Sequence, residues 1–258
     1  MVKICSTIKD QTHITEDIYS MIISAPSLVK EAHSGQFVNL YTKDNSRLLP
    51  RPISICDVNK EEGTIRIVYR TAGEGTRQFS QMKAGDTIDI TGPVGNGYDL
   101  NASKAILMGG GIGIPPMLLA AKELSAKGLS KDDISVVLGF RDNTFLIDEF
   151  EKYAKVYISS DSGSVGIKGN VLDAVKEYGI MGDMIYACGP KPMLRALQQY
   201  SKDTGIKAQI SLEERMACGI GACLACVTKT TEVDSHSQVK NKRICVDGPV
   251  FFAEEVEL

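Results

Sequence analysis

The sequence predicts a multidomain β plus α/β chain: an antiparallel β-barrel over residues 1–98, a parallel-sheet α/β domain over 99–211, and a small C-terminal module over 212–258. Three observations carry this. Short runs that alternate apolar and polar residues fill the first part, with turn residues between them, the pattern of half-buried strands. After the turn-rich stretch Gly92-Pro93-Val94-Gly95-Asn96-Gly97, strand-like runs alternate with helical ones, which means a parallel sheet with helices on both faces. The last part holds four of the 7 cysteines.

Within the first part, Ile18–Ile23, Gln36–Tyr41, Thr64–Arg70 and Thr87–Thr91 are strands, and Asn59–Gly63 is a hairpin loop. A short helix, Thr76–Met82, follows Gly75. Many short strands at close spacing suggest a small barrel. Within the second part, Lys104–Met108, Ile134–Leu138, Val156–Ser159, Met184–Ala187 and Lys207–Ser211 are strands. Pro115–Lys127, Leu146–Tyr153, Val171–Tyr178 and Pro192–Ser201 are the helices between them. The only local basic run, Lys240–Arg243, reads as a solvated loop beside Cys245.

Composition excludes several classes. With 24% charged and 43% hydrophobic residues and a net charge of −3, the chain is an ordinary globular protein with no electrostatic footprint for nucleic acid or an anionic membrane. The longest uncharged stretch, Ala105–Ala121, is too short for a membrane span and holds four glycines and two prolines. No apolar core follows the N-terminal residues, so no signal peptide is expected. Cys5, Cys56 and Cys188 are isolated and read as free thiols, which fits a reducing cytoplasm.

The remaining cysteines are the most informative residues. Cys218, Cys223 and Cys226 are followed after eighteen residues by Cys245, a C-x4-C-x2-C…C spacing. That is the plant-type [2Fe–2S] arrangement, in which four thiolates hold two irons. The intervening Gly, Ile, Ala and Leu residues let a loop wrap tightly and aim amide N–H groups at sulfur. Zinc and disulfides are the competing readings. Structural zinc sites, however, usually pair two short knuckles, and nothing here suggests an oxidising compartment.

Other motifs suit nucleotides. Arg51-Pro52-Ile53-Ser54 offers a guanidinium for a pyrophosphate and a hydroxyl for a flavin ring edge. Gly73-Glu74-Gly75-Thr76 opens a helix, where amide N–H groups face an anion and Thr76 can cap. Gly109-Gly110-Gly111-Ile112-Gly113 follows the first strand of the α/β part and opens its first helix. Ile114 and Pro116 stand where the Rossmann fingerprint needs a third glycine, so that fingerprint is rejected. The tight turn, with Pro115 near the first helical position, still makes an anion site. Cys188-Gly189-Pro190 ends another strand at the same carboxyl edge. Taken singly, each of these is also readable as a turn or a small core residue.

Arg-Pro-X-Ser, Gly-X-Gly-Thr, Gly-Gly-Gly-X-Gly-X-X-Pro and Cys-Gly-Pro, in this order, resemble the ferredoxin–NADP reductase superfamily. With Glu213-Glu214-Arg215-Met216 before the cysteines and Asp247-Gly248-Pro249-Val250-Phe251 after them, the whole chain resembles the electron-transfer subunits of class 1B dihydroorotate dehydrogenases. The resemblance implies an FAD-binding barrel, an NAD-binding α/β domain and a [2Fe–2S] module. FAD would lie across Arg51, Pro52, Ile53, Ser54, Val68, Tyr69, Arg70, Gly75 and Thr76. NAD+ would use Gly109, Gly110, Gly111, Ile112 and Gly113, with Cys188, Gly189 and Pro190 near the nicotinamide. Cys218, Cys223, Cys226 and Cys245 would hold the cluster. Neither Phe251 nor Phe252 is assigned to covering the flavin. The partner implied is an FMN-containing catalytic subunit, in a heterotetramer of two of each chain, and electrons would run from it through cluster and FAD to NAD+. Related NAD(P)H-dependent reductase subunits for ferredoxin, sulfide or sulfite chemistry share this architecture, and a zinc-stapled nucleotide-binding regulator is the non-enzymatic alternative.

Two further points concern chemistry. Hydride transfer needs no protein acid or base, and the histidines His13, His33 and His236 lie outside every motif. The same resemblance implies that the adenosine ribose lies at Ser159-Ser160-Asp161-Ser162-Gly163, which holds Asp161 and has no Arg or Lys until Lys168. A carboxylate there favours NAD over NADP.

Overall fold

A computed structural model describes residues 2–43, 47–141, 143–233 and 238–258. The first part is a closed six-stranded antiparallel barrel. Its strands are β1 (Ile4–Thr15), β2 (Ile18–Ser24), β3 (Phe37–Tyr41), β4 (Arg51–Asn59), β5 (Thr64–Arg70) and β6 (Thr87–Val94), with helix α1 (Glu74–Ser80) between β5 and β6. Around the barrel the order is β1-β2-β5-β4-β3-β6. Alternation works as the pattern requires: Val38 and Leu40 point into the barrel core with Ile88 and Ile90.

The second part contributes β7 (Ala105–Gly110), α2 (Ile114–Ala126), β8 (Ile134–Phe140), α3 (Ile147–Phe150), β9 (Lys155–Ser160), β10 (Ile167–Lys168), α4 (Val171–Glu177), β11 (Met184–Cys188), α5 (Lys191–Thr204) and β12 (Lys207–Ser211). The strands lie in the order β10-β9-β8-β7-β11-β12 and all pair in parallel. Leu107, Val136 and Leu138 pack on one face with Met117 of α2 and Phe150 of α3. Ile106, Met108 and Val137 pack on the other with Leu172 of α4 and Leu194 of α5.

Several expectations change. β1 and β4 are strands that the sequence pattern passed over. The helix expected over Leu146–Tyr153 is only the single turn of α3 followed by turns, and it starts after Leu146, which sits at φ +64°. The basic run is not a loop: Asn241–Arg243 forms β14, paired with β13 (Val227–Lys229). β12 does not close the series either. β15 (Val250–Phe252), from the last part of the chain, adds to it antiparallel, through Gln209↔Phe252 to Ser211↔Val250. The cysteine segment is therefore stitched into the central sheet.

Polar links fix the barrel against the α/β part. Arg66 of β5 forms a two-pronged ion pair with Glu149 of α3, at 2.5 and 3.0 Å, and bonds Ser20 Oγ at 2.8 Å. Lys122 of α2 pairs with Asp57 of β4 at 2.7 Å, and Ser34 Oγ donates to Glu123 at 2.6 Å. Among the described residues no helix is long and apolar enough to cross a membrane.

The Arg66–Glu149 pair is two-pronged and half-buried, so it is worth more than an exposed pair. Arg66→Ala is expected to lower unfolding free energy by about 1–3 kcal/mol, seen as a lower urea midpoint. An unchanged midpoint would mean the pair holds nothing together.

Candidate functional site

The ladder between β4 and β5 runs from Asn59↔Thr64 to Ile55↔Ile67 and ends there. Beyond that point Arg51–Ser54 pair with β3 and Val68–Arg70 with β2. The two strands part into a fork, and each presents a main-chain edge without a ladder partner, which a bound molecule can satisfy.

Arg51 stands at the mouth of this fork. Its Nη1 donates to the Leu49 carbonyl at 2.6 Å, and its guanidinium lies beside Gly75 of α1. A Cβ at position 75 would come within 2.5 Å of Arg51 Nε, so Gly75 makes room for the cation. Thr76 is committed to the helix start: its hydroxyl donates to the Gly73 carbonyl at 2.9 Å and accepts from the Ala72 and Gly73 amides at 3.0 and 3.1 Å. A cleft of about 750 Å³ opens beside these residues, lined by Arg51, Pro52, Ile53 and Thr76 and, across from them, by Glu213–Met216. Val68 and Tyr69 are buried by side-chain packing. The Tyr69 hydroxyl accepts from Gln11 at 2.9 Å, and burial pushes its pKa up to about 12. Arg70 is paired with Asp17 at 3.0 Å. These three meet the fork through their main chain rather than their side chains.

The strand order reverses between the parallel neighbours β7 and β11, the switch point where ligands bind in such folds. Gly109 and Gly110 end β7, Gly111–Gly113 form one 3-10 turn, and α2 starts at Ile114. This turn is packed against Cys188-Gly189-Pro190. A Cβ on Gly113 would come within 2.4 Å of the Cys188 carbonyl, and one on Gly110 within 2.6 Å of Met193 Sδ. The two motifs are thus brought together, with Gly109 and Cys188 directly paired. Gly111, at φ +54°, has open space where a side chain would be. Burial pushes the Cys188 thiol up to about 12, while a bond with Ser211 pulls the other way. Asp161 is exposed just beyond β9, its amide donating to the Phe140 carbonyl at 3.3 Å. Lys168 is nearer than its sequence distance suggested: β10 folds it back opposite Ser160, in contact with Gly163.

The cysteines gather as two pairs. Cys226 and Cys245 place their sulfurs 3.3 Å apart, near enough to serve one iron. Cys218 Sγ accepts from the amides of Ile220 and Cys223 at 3.5 and 3.3 Å. Burial alone would raise the Cys218 pKa, but these amides, that of Ala222 and the Cys223 thiol bring it down to about 7. Among the described residues, no three His, Cys, Asp or Glu side chains converge as closely as one metal ion requires. Two thiol pairs with amides aimed at sulfur suit a two-iron cluster better than a single tetrahedral ion.

Sequence reasoning missed three contributors. Glu213–Met216 line the cleft, although they were noted only as a family signature. Arg243, in the supposed solvated run, donates to the Gly221 carbonyl at 3.2 Å and so holds the cysteine loop. Lys191, after Pro190, pairs with Glu214. His13 and His33 are away from these groups, and His236 lies outside the described residues.

Comparison with known proteins agrees with this geometry. The model of the iron-sulfur cluster binding domain of dihydroorotate dehydrogenase B matches residues 213–257, and that of the oxidoreductase FAD-binding domain matches residues 6–98. The electron transfer subunit of dihydroorotate dehydrogenase B (NAD(+)) from Caldanaerobacter subterraneus subsp. tengcongensis is 42% identical over 98% of both chains. The subunit of that name from Fusobacterium nucleatum is 42% identical over 98% of this chain and 97% of its own. This chain belongs to that family. Among solved structures, a chain of the NADH-dependent reduced ferredoxin-NADP oxidoreductase is similar at TM-score 0.86 and 33% identity, over 98% of this chain and 89% of that one. Phthalate dioxygenase reductase shares the fold at TM-score 0.67 and 18% identity, over 95% and 94%.

A thiol held near pKa 12 is neutral at ordinary pH and a poor nucleophile. Iodoacetamide at pH 8 is therefore expected to label exposed Cys5 well before Cys188 in the loaded protein, read by peptide mass spectrometry. Equal labelling of both would contradict the raised pKa of Cys188.

Proposed function

We propose that this chain is the electron-transfer subunit of an NAD-dependent dihydroorotate dehydrogenase in pyrimidine biosynthesis, an oxidoreductase component carrying FAD and a [2Fe–2S] cluster. Its catalytic partner is an FMN-bearing subunit, the complex holds two of each chain, and it works in the cytoplasm without membrane or nucleic-acid contacts. The division falls at residues 98/99 and 211/212, into FAD-binding, NAD-binding and cluster-binding units.

When bound, flavin exchanges hydride with a nicotinamide and single electrons with an iron–sulfur cluster, which makes it the converter between two-electron and one-electron carriers. The chain's own residues supply position and charge. Arg51, backed by Gly75, presents a cation to the FAD pyrophosphate, and the α1 amides add to it. Pro52, Ile53, Ser54 and the main chain of Val68–Arg70 form the two walls of the fork that receives the ring. Gly109–Gly113 leave room for a dinucleotide at the switch point, with Cys188, Gly189 and Pro190 beside its nicotinamide. Cys218, Cys223, Cys226 and Cys245 hold the cluster.

The observation that carries the reading is the course of residues 213–226. Met216 lines the cleft beside Arg51, and Cys218 follows two residues later, so flavin and cluster sites are neighbours on one segment. The ferredoxin, sulfide and sulfite alternatives share this course. The relatives at 42% identity over nearly the whole chain favour dihydroorotate. The direct test is reconstitution with the FMN-bearing partner: the complex should reduce NAD+ with dihydroorotate, and this chain alone should not. A complex inert to dihydroorotate but active with reduced ferredoxin would favour the alternative.

Cys223→Ser is expected to remove the visible absorption of the cluster while FAD stays bound, and unchanged iron content would refute the ligand set. Arg51→Ala is expected to weaken FAD binding by about 1.5–3 kcal/mol, the range for hydrogen bonds to a charged group, measured by fluorescence of released flavin. Undiminished FAD affinity would leave Arg51 a strand residue only.

Nucleotide choice rests on Asp161, whose carboxylate would repel a 2′-phosphate at an exposed edge. Lys168 offsets part of that repulsion, so a preference of about 5-fold for NADH in kcat/KM is expected, near 1 kcal/mol. Asp161→Ser should narrow it in dye-reduction assays, and equal efficiency in the wild type would remove the claim.

A further inference from the structure

One buried polar group belongs to none of the motifs above. Asn39 lies on β3 between Val38 and Leu40, which point into the barrel, so its own side chain points outward. It is nonetheless 0% exposed, because the cysteine module covers that face of the barrel. A carboxamide in such a place is costly unless it is bonded. Asn39 Nδ2 donates to the carbonyl of Gly219, 3.0 Å away and 180 residues further along the chain. Its other atom, Oδ1, has no protein partner, nor does Thr91 Oγ1, which stands opposite it on β6.

The partner residue is as particular as Asn39. Gly219 follows Cys218 and has φ +65°, where a side chain is strained. A Cβ there would come within 2.5 Å of Asn39 Oδ1 and 2.6 Å of Nδ2. The carboxamide therefore lies directly on the glycine. The peptide plane that begins at Gly219 is gripped at both ends: its carbonyl accepts from Asn39, and its N–H, that of Ile220, points at Cys218 Sγ at 3.5 Å. A hydrogen bond to the carbonyl polarises a peptide and strengthens the donor at its other end. On its opposite side Asn39 is paired across the ladder with Pro52, on the wall of the flavin fork.

We propose that Asn39 is a positioning residue for the cluster: it fixes the 219–220 peptide, aims its N–H at the Cys218 sulfur, and thereby raises the reduction potential of the cluster. This rests on the reading of the four cysteines as cluster ligands. Donors to ligand sulfur stabilise the reduced, more negative state, so weakening one moves the potential down. The same bond ties the cluster loop to the strand that walls the flavin, which keeps the spacing of the two carriers constant.

The test uses the loaded full-length protein. Asn39→Leu keeps the volume and removes the donor. Iron, acid-labile sulfide and FAD are counted first, and the cluster potential is then measured by EPR at fixed solution potentials. The expected result is a full complement of FAD and cluster, altered g-values, and a potential more negative by up to about tenfold in the one-electron equilibrium, about 59 mV. Asn39→Asp, of the same shape without the amide donor, should move the signal in the same direction. Loss of the cluster alone, with FAD retained in both variants, also supports Asn39 as the residue that holds the loop. A loaded Asn39→Leu protein with wild-type g-values and potential overturns the proposal while leaving the cluster reading intact. Loss of FAD and cluster together makes Asn39 a barrel-stability residue and equally overturns it. A wild type without iron and sulfide overturns the cluster reading, and this proposal with it.

Discussion

One apolar cluster holds the three parts of this chain in register. It includes Phe37 and Val94 from the outer face of the barrel, Ile106, Met108 and Ile185 from the central sheet, and Cys226, Ile244 and Phe251 from the cysteine module. Electron transfer between fixed carriers requires fixed distances, and only a dry, closely packed interface maintains them. Each large apolar side chain buried there contributes about 1.5–3 kcal/mol, so no part leaves the others cheaply. Phe251 shows how far this goes. It pairs β15 with β12 through the main chain and buries its ring beside Gly248, where a Cβ would come within 2.4 Å of it. Phe251 is a structural wedge between the sheet and the Asp247–Pro249 turn.

The same packing divides the labour among polar groups. Ion pairs such as Arg66–Glu149 and Lys122–Asp57 sit at the barrel–α/β boundary, partly wet, where orientation matters more than strength. Arg243 and Asp247 brace the cysteine loop from its own module, with Asp247 accepting the Arg243 amide at 2.7 Å. The thiols are treated differently according to place. Cys56 and Cys188 are pushed up to about 12 by burial, whereas Cys218 is drawn down to about 7 by the amides around it. A single residue type is thus held as a neutral thiol in two places and made easier to ionise in another.

How much of this was legible depended on whether the signal was local. Most of the parallel sheet was, because strands such as Ala105–Gly110 and Ile134–Phe140 are largely apolar runs alternating with helices. β1 was not. Ile4–Thr15 is mostly polar and exposed, and barrel closure holds it, by pairing one half with β6 and the other with β2. β4 was obscured by Pro52, and β15 by its length of three residues. For the candidate site, the contiguous motifs were what the sequence could offer: the cysteines, the glycine turn and Arg51. What escaped were contacts made by folding. Glu213–Met216 reach the cleft only because β12 ends there, and Lys168 comes opposite Ser160 only because β10 turns back.

The central claim is that NADH, the flavin and the cluster of this chain form one connected path. Anaerobic addition of NADH to the purified, loaded protein, followed by optical spectra and EPR, tests it most directly. The account predicts that NADH bleaches the flavin and also produces the EPR signal of the reduced cluster. Bleaching without any cluster signal, in protein whose cluster is reducible by dithionite, would contradict it.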